Sequence, residues 1–138
     1  MTMGEKSKIE QLPSTDGLKN EIIIQKNHRY TYDRALIAAG AILVEVSSEE
    51  ELINAIGEKT VMMFWLLANH NPAGDNVAMD RYLAIAKEKN IPTYLDGATM
   101  TPPASNVVDA CQLGFDLVGF SGGKGLRGPY SAGLLLGK

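Results

Sequence analysis

Short apolar segments with the composition of buried strands alternate with helical segments along most of this chain. The predicted strands cover residues 21–25, 42–46, 61–68, 93–95, 115–120 and 131–136, and the predicted helices cover residues 32–39, 48–57, 79–89 and 105–113. Strands that alternate with helices form βαβ units, with parallel strands and helices on both faces of the sheet. Because the connection before the last strand is too short for a crossover helix, we expect that strand to be antiparallel. The sequence therefore predicts an α/β fold with three layers and a mostly parallel sheet.

The length of the chain indicates the number of domains, and its net charge indicates the kind of partner that it binds. A chain of 138 residues has the length of a single domain, in which we expect residues 1–11 to form a polar N-terminal tail. Acidic residues outnumber basic ones by 16 to 13, and the net charge of −3 argues against a general nucleic-acid-binding surface. We therefore expect a small-molecule partner, and a local patch for tRNA stays open only as an alternative.

Cysteine content and hydropathy indicate the compartment. Cys111, the single cysteine, cannot form an internal disulfide, and its apolar helical surroundings predict a core position. One cysteine with His28 and His70 shows no metal-ligand spacing, so we expect no metal site. Residues 1–11 lack the apolar region of a secretory signal, and the longest apolar run, residues 61–68, is far shorter than the ~20 residues that span a bilayer. These features predict a cytoplasmic protein without a membrane segment.

A lysine surrounded by glycines follows the fifth predicted strand. Residues 121–129 read Ser-Gly-Gly-Lys-Gly-Leu-Arg-Gly-Pro. In open α/β sheets, ligands bind beyond the carboxyl ends of strands, which is where this segment would place Lys124. A lysine that is partly desolvated there can act as an amine nucleophile toward a carbonyl. The carbonyl that we consider first is the aldehyde of pyridoxal phosphate.

The same segment has other interpretations. Residues 123–128 match the G-x-G-x-x-G dinucleotide fingerprint, but Pro129 and an apolar strand follow instead of a helix and an acidic residue. A P-loop would need a glycine at position 118 and a Ser or Thr at position 125, which are Val118 and Gly125. A glycine-rich hairpin with a solvated lysine stays open, and the segment taken alone favours it.

An aspartate at the end of a neighbouring predicted strand favours the cofactor interpretation. Asp96 follows the strand at residues 93–95, and helical sequence separates that strand from the one preceding Lys124. Parallel pairing would bring both side chains to one edge of the sheet. Pyridoxal phosphate enzymes need a lysine for the aldehyde and an acidic group that keeps the pyridine nitrogen protonated. Alone, Asp96 could equally cap a turn.

With these motifs in place, the chain resembles the selenocysteine-synthase-like family of fold-type I pyridoxal phosphate-dependent enzymes. The family comprises relatives of L-seryl-tRNA(Sec) selenium transferase and of D-glucosaminate-6-phosphate ammonia-lyase. The resemblance rests on Leu-Asp-Gly-Ala at residues 95–98, on Thr-Pro-Pro at residues 101–103 and on residues 113–124. It continues upstream through residues 12–13, 19–21, 25–29 and 32–33, and it covers residues 12–138.

The resemblance implies roles for individual residues. Lys124 corresponds to the lysine that bonds the cofactor, and Asp96 to the partner of the pyridinium nitrogen. Ser121 is a candidate phosphate ligand, and His28 and Arg29 are candidate active-site residues. His28 could also be a satisfied polar residue at a strand end, and the sequence does not separate these alternatives.

The resemblance also implies an activity and shows departures from the family. Family members run to several hundred residues, so the chain looks like the central piece of a larger pyridoxal phosphate-binding domain, and Tyr130 stands where the family more often has glutamine. The implied activity is that of a lyase or transferase that acts on an amino acid or amino-sugar acid by α-proton abstraction and β-elimination. A selenium-transferase-like enzyme acting on seryl-tRNA and a non-catalytic fragment or pairing subunit are the alternatives. We expect a homo-oligomer or a complementing chain, because fold-type I sites are commonly shared between subunits.

Overall fold

The computed structural model describes residues 1–67 and 74–137, and most of the predicted loop at residues 69–75, including His70, lies outside them. Six strands form one sheet: β1 (Glu21–Gln25), β2 (Ile42–Val46), β3 (Thr60–Leu66), β4 (Thr93–Asp96), β5 (Leu117–Ser121) and β6 (Gly133–Gly137). The described helices are α1 (Lys6–Glu10), α2 (Arg34–Ala38), α3 (Glu49–Ala55), α4 (Met79–Glu88) and α5 (Ser105–Gln112). Two 3₁₀ turns, Lys26–His28 and Thr31–Asp33, connect β1 to α2.

The sheet has the strand order β2-β1-β3-β4-β5-β6. The first five strands are parallel, and β6 pairs with β5 in the antiparallel direction. This arrangement confirms the predicted α/β class, the mostly parallel sheet and the antiparallel last strand.

The direction of each connection decides which face its helix covers. The connections through α3, α4 and α5 all run toward β5, whereas the connection through α2 runs the opposite way, from β1 to the edge strand β2. Since parallel connections are right-handed, α2 must lie on the other face. The larger core cluster accordingly combines residues of α3, α4 and α5, namely Leu52, Tyr82, Ile85, Ala86 and Ala110, with Trp65 of β3. The smaller cluster joins Ile22, Ile24 and Phe64 of the opposite face to Leu36 of α2.

Buried polar side chains fix the spacing of the layers. The Tyr82 hydroxyl donates to the carbonyl oxygens of Ile23 and Phe64, at 3.2 and 3.0 Å, so it ties α4 to the two central strands. Burial raises the pKa of Tyr82, which keeps the phenol protonated as a donor. Asp116, just before β5, accepts hydrogen bonds from the backbone amide and the hydroxyl of Thr93, both at 2.8 Å. The Thr93–Asp116 pair joins the points at which β4 and β5 begin.

The N-terminal residues and Cys111 differ from the sequence-based expectations. Residues 1–11 contain the short helix α1, and Met1 packs against the smaller core cluster. The predicted core position of Cys111 is wrong because α5 turns Ala110 toward the sheet, and the next residue along the helix is exposed. Within residues 1–67 and 74–137, no helix has the length and apolar character that a membrane span requires.

Candidate functional site

Asp96 ends β4 at the carboxyl edge of the sheet, where its Cα is paired with those of Leu66 on β3 and Gly119 on β5. Its carboxylate accepts two hydrogen bonds within the chain. The backbone amide of Ala98 donates to Oδ1 at 2.9 Å, and the Tyr30 hydroxyl donates to Oδ2. The half-buried carboxylate is therefore oriented by one bond from its own turn and one from a distant segment.

A cleft opens beside Asp96 on the β5 and β6 side. It measures about 410 Å³, and its lining includes Asp96, Ser121, Tyr94 and Leu134. Tyr94 crosses Gly119 so closely that a Cβ at residue 119 would lie 2.2 Å from the Tyr94 hydroxyl oxygen, so any larger residue there would displace the Tyr94 side chain. The structure thus brings two of the predicted site residues, Asp96 and Ser121, to one cleft.

Lys124 lies in a tight turn that follows β5. The turn is closed by backbone hydrogen bonds from Arg127 to Lys124 at 2.9 Å and from Gly128 to Gly122 at 2.8 Å. The Lys124 side chain is exposed, and its Nζ lies 5.6 Å from the centre of the Tyr32 ring. The sequence left open how far Lys124 is removed from solvent, and the structure places its side chain at the surface.

Two tyrosine rings connect the carboxylate to the lysine. The Tyr30 ring, which reaches Asp96, lies 6.1 Å from the Tyr32 ring, which in turn lies under the Lys124 ammonium group. On its other side, the Tyr30 ring stacks on Phe64 at 6.2 Å. No sequence pattern connects Tyr30 with Asp96, since the hydrogen bond joins residues 66 positions apart.

The tyrosines around Asp96 are held in their neutral form. Burial, followed by the hydrogen bond to Asp96, raises the pKa of Tyr30. Burial and the Asp96 carboxylate raise the pKa of Tyr94 to about 12. At neutral pH, Tyr30 is therefore a hydrogen-bond donor to Asp96.

His28 lies in the protein interior rather than in the cleft. Its Nδ1 accepts the backbone amide of Leu66 at 3.3 Å, so Nε2 carries the proton that is donated to Asp75 Oδ1 at 2.8 Å. The imidazole also meets the Trp65 ring edge-on, with centroids 4.6 Å apart. These contacts are those of a satisfied buried histidine that ties residue 75 to the end of β3, while an active-site role of His28 stays a prediction.

The Arg29 guanidinium binds two nearby carboxylates. Its Nε donates to Asp33 Oδ2 at 2.5 Å, and its Nη1 donates to Glu45. Asp33 is buried and also accepts the backbone amide of Tyr30 at 3.3 Å. Arg29 therefore supports the turn that carries Tyr30.

We expect His28 to make stability depend on pH. Burial lowers the pKa of His28, and the opposing effect of Asp75 is smaller. Below the ordinary value of 6.5, the unfolded chain binds a proton that the folded chain does not, so stability is full above that pH and is lost as the pH falls. The free energy of unfolding, measured with urea between pH 7.5 and 5.5, should fall by up to about 1.4 kcal/mol per pH unit below this point.

The His28→Gln variant should lack this part of the pH dependence, whereas His70→Asn should keep it. Equal slopes for the wild type and His28→Gln would show that another group causes the effect.

The chain was compared with known proteins. No protein-family model matches it. It is 25% identical to the D-glucosaminate-6-phosphate ammonia lyase of Salmonella typhimurium, over all of the chain and 38% of the relative. It is 28% identical to a 5'-C-glycyluridine monooxygenase-decarboxylase of a Streptomyces species, over 95% of the chain and 34% of the relative. The chain thus spans little more than a third of the length of these curated relatives.

Solved structures show the same fold. The structure of D-glucosaminate-6-phosphate ammonia-lyase superposes with a TM-score of 0.87 and 24% identity, over 99% of this chain and 38% of that protein. The structure of SPT with PLP internal aldimine has a TM-score of 0.63 and 15% identity, over 87% of this chain and 32% of that one. These structural similarities confirm the fold class, and the sequence similarity to the ammonia lyase agrees with the resemblance that the sequence indicated.

Proposed function

We propose that this chain, whose fold is that of the fold-type I pyridoxal phosphate-dependent enzymes, binds pyridoxal phosphate through Lys124 and Asp96. The observation that carries the proposal is the placement of Asp96 at the carboxyl end of β4 and of Lys124 just beyond the carboxyl end of the adjacent parallel strand β5. The sequence similarity to an ammonia lyase supports the same assignment.

The residues present fit such a cofactor chemically. Asp96 offers carboxylate oxygens to a pyridine nitrogen, the exposed Lys124 offers a primary amine to an aldehyde, and Ser121 offers a hydroxyl to a phosphate. Cβ atoms at Gly122, Gly123 or Gly125 would lie within 2.9 Å of neighbouring backbone atoms, so the glycines allow the lysine turn to fold closely against the chain. In this assignment, His28 supports the site from the interior.

Each residue would then have a defined part in the reaction. When bound, pyridoxal phosphate supplies an electron sink for negative charge at the substrate Cα. Asp96 keeps a proton at the ring nitrogen, which strengthens that sink. Once the substrate amine has taken the place of Lys124 on the cofactor aldehyde, the freed Lys124 Nζ would take the α-proton and return it to the β-hydroxyl group, which would leave as water. This sequence is the β-elimination that a lyase or transferase of this type would perform.

The substrate class follows from the resemblance. An amino acid or an amino-sugar acid supplies both the amine and the β-leaving group that the chemistry requires, and the similarity to an ammonia lyase favours this class. A selenium-transferase-like activity on seryl-tRNA is the alternative, and it would require a basic docking surface. The chain has 16 acidic and 13 basic residues, and this balance favours the small-molecule substrate over tRNA. The single cysteine favours a cytoplasmic protein.

A complementing chain or a second copy is part of the proposal. The strand β6 lies at the edge of the sheet with Leu134 and Leu135 exposed, the latter by 63%. Apolar side chains on an unpaired edge favour association with another chain. An alternative consistent with the same edge is a non-catalytic pairing subunit that retains Lys124.

The proposal is tested by fixing the cofactor covalently. Purified wild type is mixed with pyridoxal phosphate and reduced with borohydride, and the pyridoxyl group is located by peptide mass. We expect it on Lys124, because the glycine turn holds this amine at the cofactor site. Lys124→Ala should lose the adduct and retain its circular dichroism spectrum.

The matched control is Lys26→Ala, which removes another exposed lysine just beyond the carboxyl end of β1. That variant should be labelled on Lys124 as the wild type is. Labelling spread evenly over surface lysines would refute cofactor binding by this chain.

A further inference from the structure

Both carboxylate oxygens of Asp96 already have a donor from within the chain. Ala98 provides its backbone amide to Oδ1, and Tyr30 provides its hydroxyl to Oδ2. The hydrogen bond from the Ala98 amide lies within the turn that follows β4, so the backbone fixes its geometry. The hydrogen bond from the Tyr30 hydroxyl depends on a side chain that rotates about single bonds, so it is the one that can break when a ligand binds Asp96.

The Tyr30 hydroxyl contacts the carboxylate that a pyridine nitrogen would need. Tyr30 reaches Asp96 with its hydroxyl, and the neighbouring Tyr32 ring carries the Lys124 ammonium above it. In pyridoxal phosphate, the ring nitrogen and the aldehyde lie on opposite sides of one six-membered ring. A cofactor whose aldehyde reaches Lys124 and whose nitrogen binds Asp96 would therefore meet the Tyr30 hydroxyl at that carboxylate.

The backbone of the Tyr30 segment is held independently of that hydroxyl. The Tyr30 amide donates to Asp33 Oδ2, and the Asp33 amide donates to the Tyr30 carbonyl oxygen at 3.2 Å. Arg29 binds the same Asp33 carboxylate. The ring can therefore leave Asp96 by side-chain rotation while the turn keeps its hydrogen bonds.

We propose, on the basis of the proposed function, that Tyr30 is a positioning residue that competes with the cofactor's pyridine nitrogen for Asp96 Oδ2 and thereby sets the affinity for the cofactor. Hydrogen bonds to an ionised carboxylate are stronger than neutral ones. When the cofactor binds, its pyridine nitrogen forms a hydrogen bond to Asp96 and the Tyr30–Asp96 hydrogen bond is lost. The free energy of the lost bond offsets part of the free energy gained from the new one. Removing the Tyr30 hydroxyl removes that offset.

The experiment measures binding of pyridoxine 5'-phosphate, which has the pyridine nitrogen and the phosphate but no aldehyde. Equilibrium dialysis therefore reports on Asp96 and not on covalent attachment to Lys124. We expect Tyr30→Phe to bind this probe about tenfold more tightly than the wild type, which is the effect of one competing hydrogen bond to a charged group. In an Asp96→Asn background, Tyr30→Phe should bring no comparable gain.

Tyr32→Phe is the matched control, because it makes the same change on the neighbouring ring, which has no bond to Asp96. It should leave the dissociation constant within about twofold of the wild type, a margin that one lost exposed hydroxyl does not exceed. Equal or weaker binding by Tyr30→Phe overturns the inference, and so does a lack of binding by both proteins. A tenfold gain without borohydride labelling of Lys124 would support Tyr30 as the competitor and refute the covalent part of the proposed function.

Discussion

Gly125→Ala should reduce the borohydride-fixed adduct on Lys124 by about tenfold to a hundredfold. A Cβ at residue 125 would lie 2.0 Å from the carbonyl oxygen of Thr101 and 2.7 Å from the nitrogen of Pro102. Both contacts are to backbone, so the lysine turn has to move. A displacement of about 1 Å at a reacting group can cost about a hundredfold in rate. The measurement is the yield of labelled Lys124 peptide at a fixed time and cofactor concentration.

Gly128→Ala provides the control within the same turn. Its Cβ would come no closer than 3.4 Å to the carbonyl oxygen of Gly122, which is ordinary van der Waals contact. This variant should be labelled at the level of the wild type. Undiminished labelling of Gly125→Ala would show that the turn adapts and that its close approach to Thr101 does not position the lysine.

Trp65→Ala should lower the free energy of unfolding by about 3–5 kcal/mol, a large part of the total of a small domain. Trp65 is 1% exposed and is the next-to-last residue of β3. Its ring meets those of His28, Tyr82 and Phe115, with centroids 4.6, 5.2 and 6.1 Å away. Removal of the indole leaves a cavity between α4 and the sheet and takes away the aromatic support of His28. Urea unfolding monitored by circular dichroism measures the loss.

Tyr130→Ala is the comparison for the size of the side chain. Tyr130 is 91% exposed, so its removal should change stability by no more than about 0.5 kcal/mol. A loss of less than about 1 kcal/mol in Trp65→Ala would mean that the larger core cluster closes around the missing ring. Comparing the two variants therefore shows whether the loss of stability comes from the burial of the ring or from the removal of any aromatic side chain.

Strand positions were predictable because each strand is a short apolar run bounded by turn residues. The runs at residues 42–46 and 93–95 correspond to β2 and β4, and the short final connection correctly indicated an antiparallel β6. Helix boundaries were also approximated well where a cap is visible. The Ser48 hydroxyl accepts the Glu51 amide at 3.1 Å, as the spacing of these residues indicated for α3.

Tertiary contacts between distant segments were not predictable in the same way. Asp96 and Lys124 could be paired from their positions after strands, but nothing in local periodicity connects Tyr30 to Asp96. The exposure of Lys124 likewise depends on how its turn packs against the rest of the chain. Cys111 shows the limit within one helix, since a rotation of one residue on α5 separates a buried from an exposed position. The functional roles of Lys124, Asp96, Ser121 and His28 stay predictions.

The hairpin of β5 and β6 has a consequence for the order in which the site assembles during folding. Its two strands are joined by residues 122–132, so Lys124 sits in a loop whose ends meet at a small entropic cost. The Asp96–Tyr30 bond closes a much longer stretch of chain and requires β1, β3 and β4 to be paired already. The lysine turn can therefore close within the hairpin before it packs on Thr101, whereas the Asp96–Tyr30 hydrogen bond forms only when these three strands are paired.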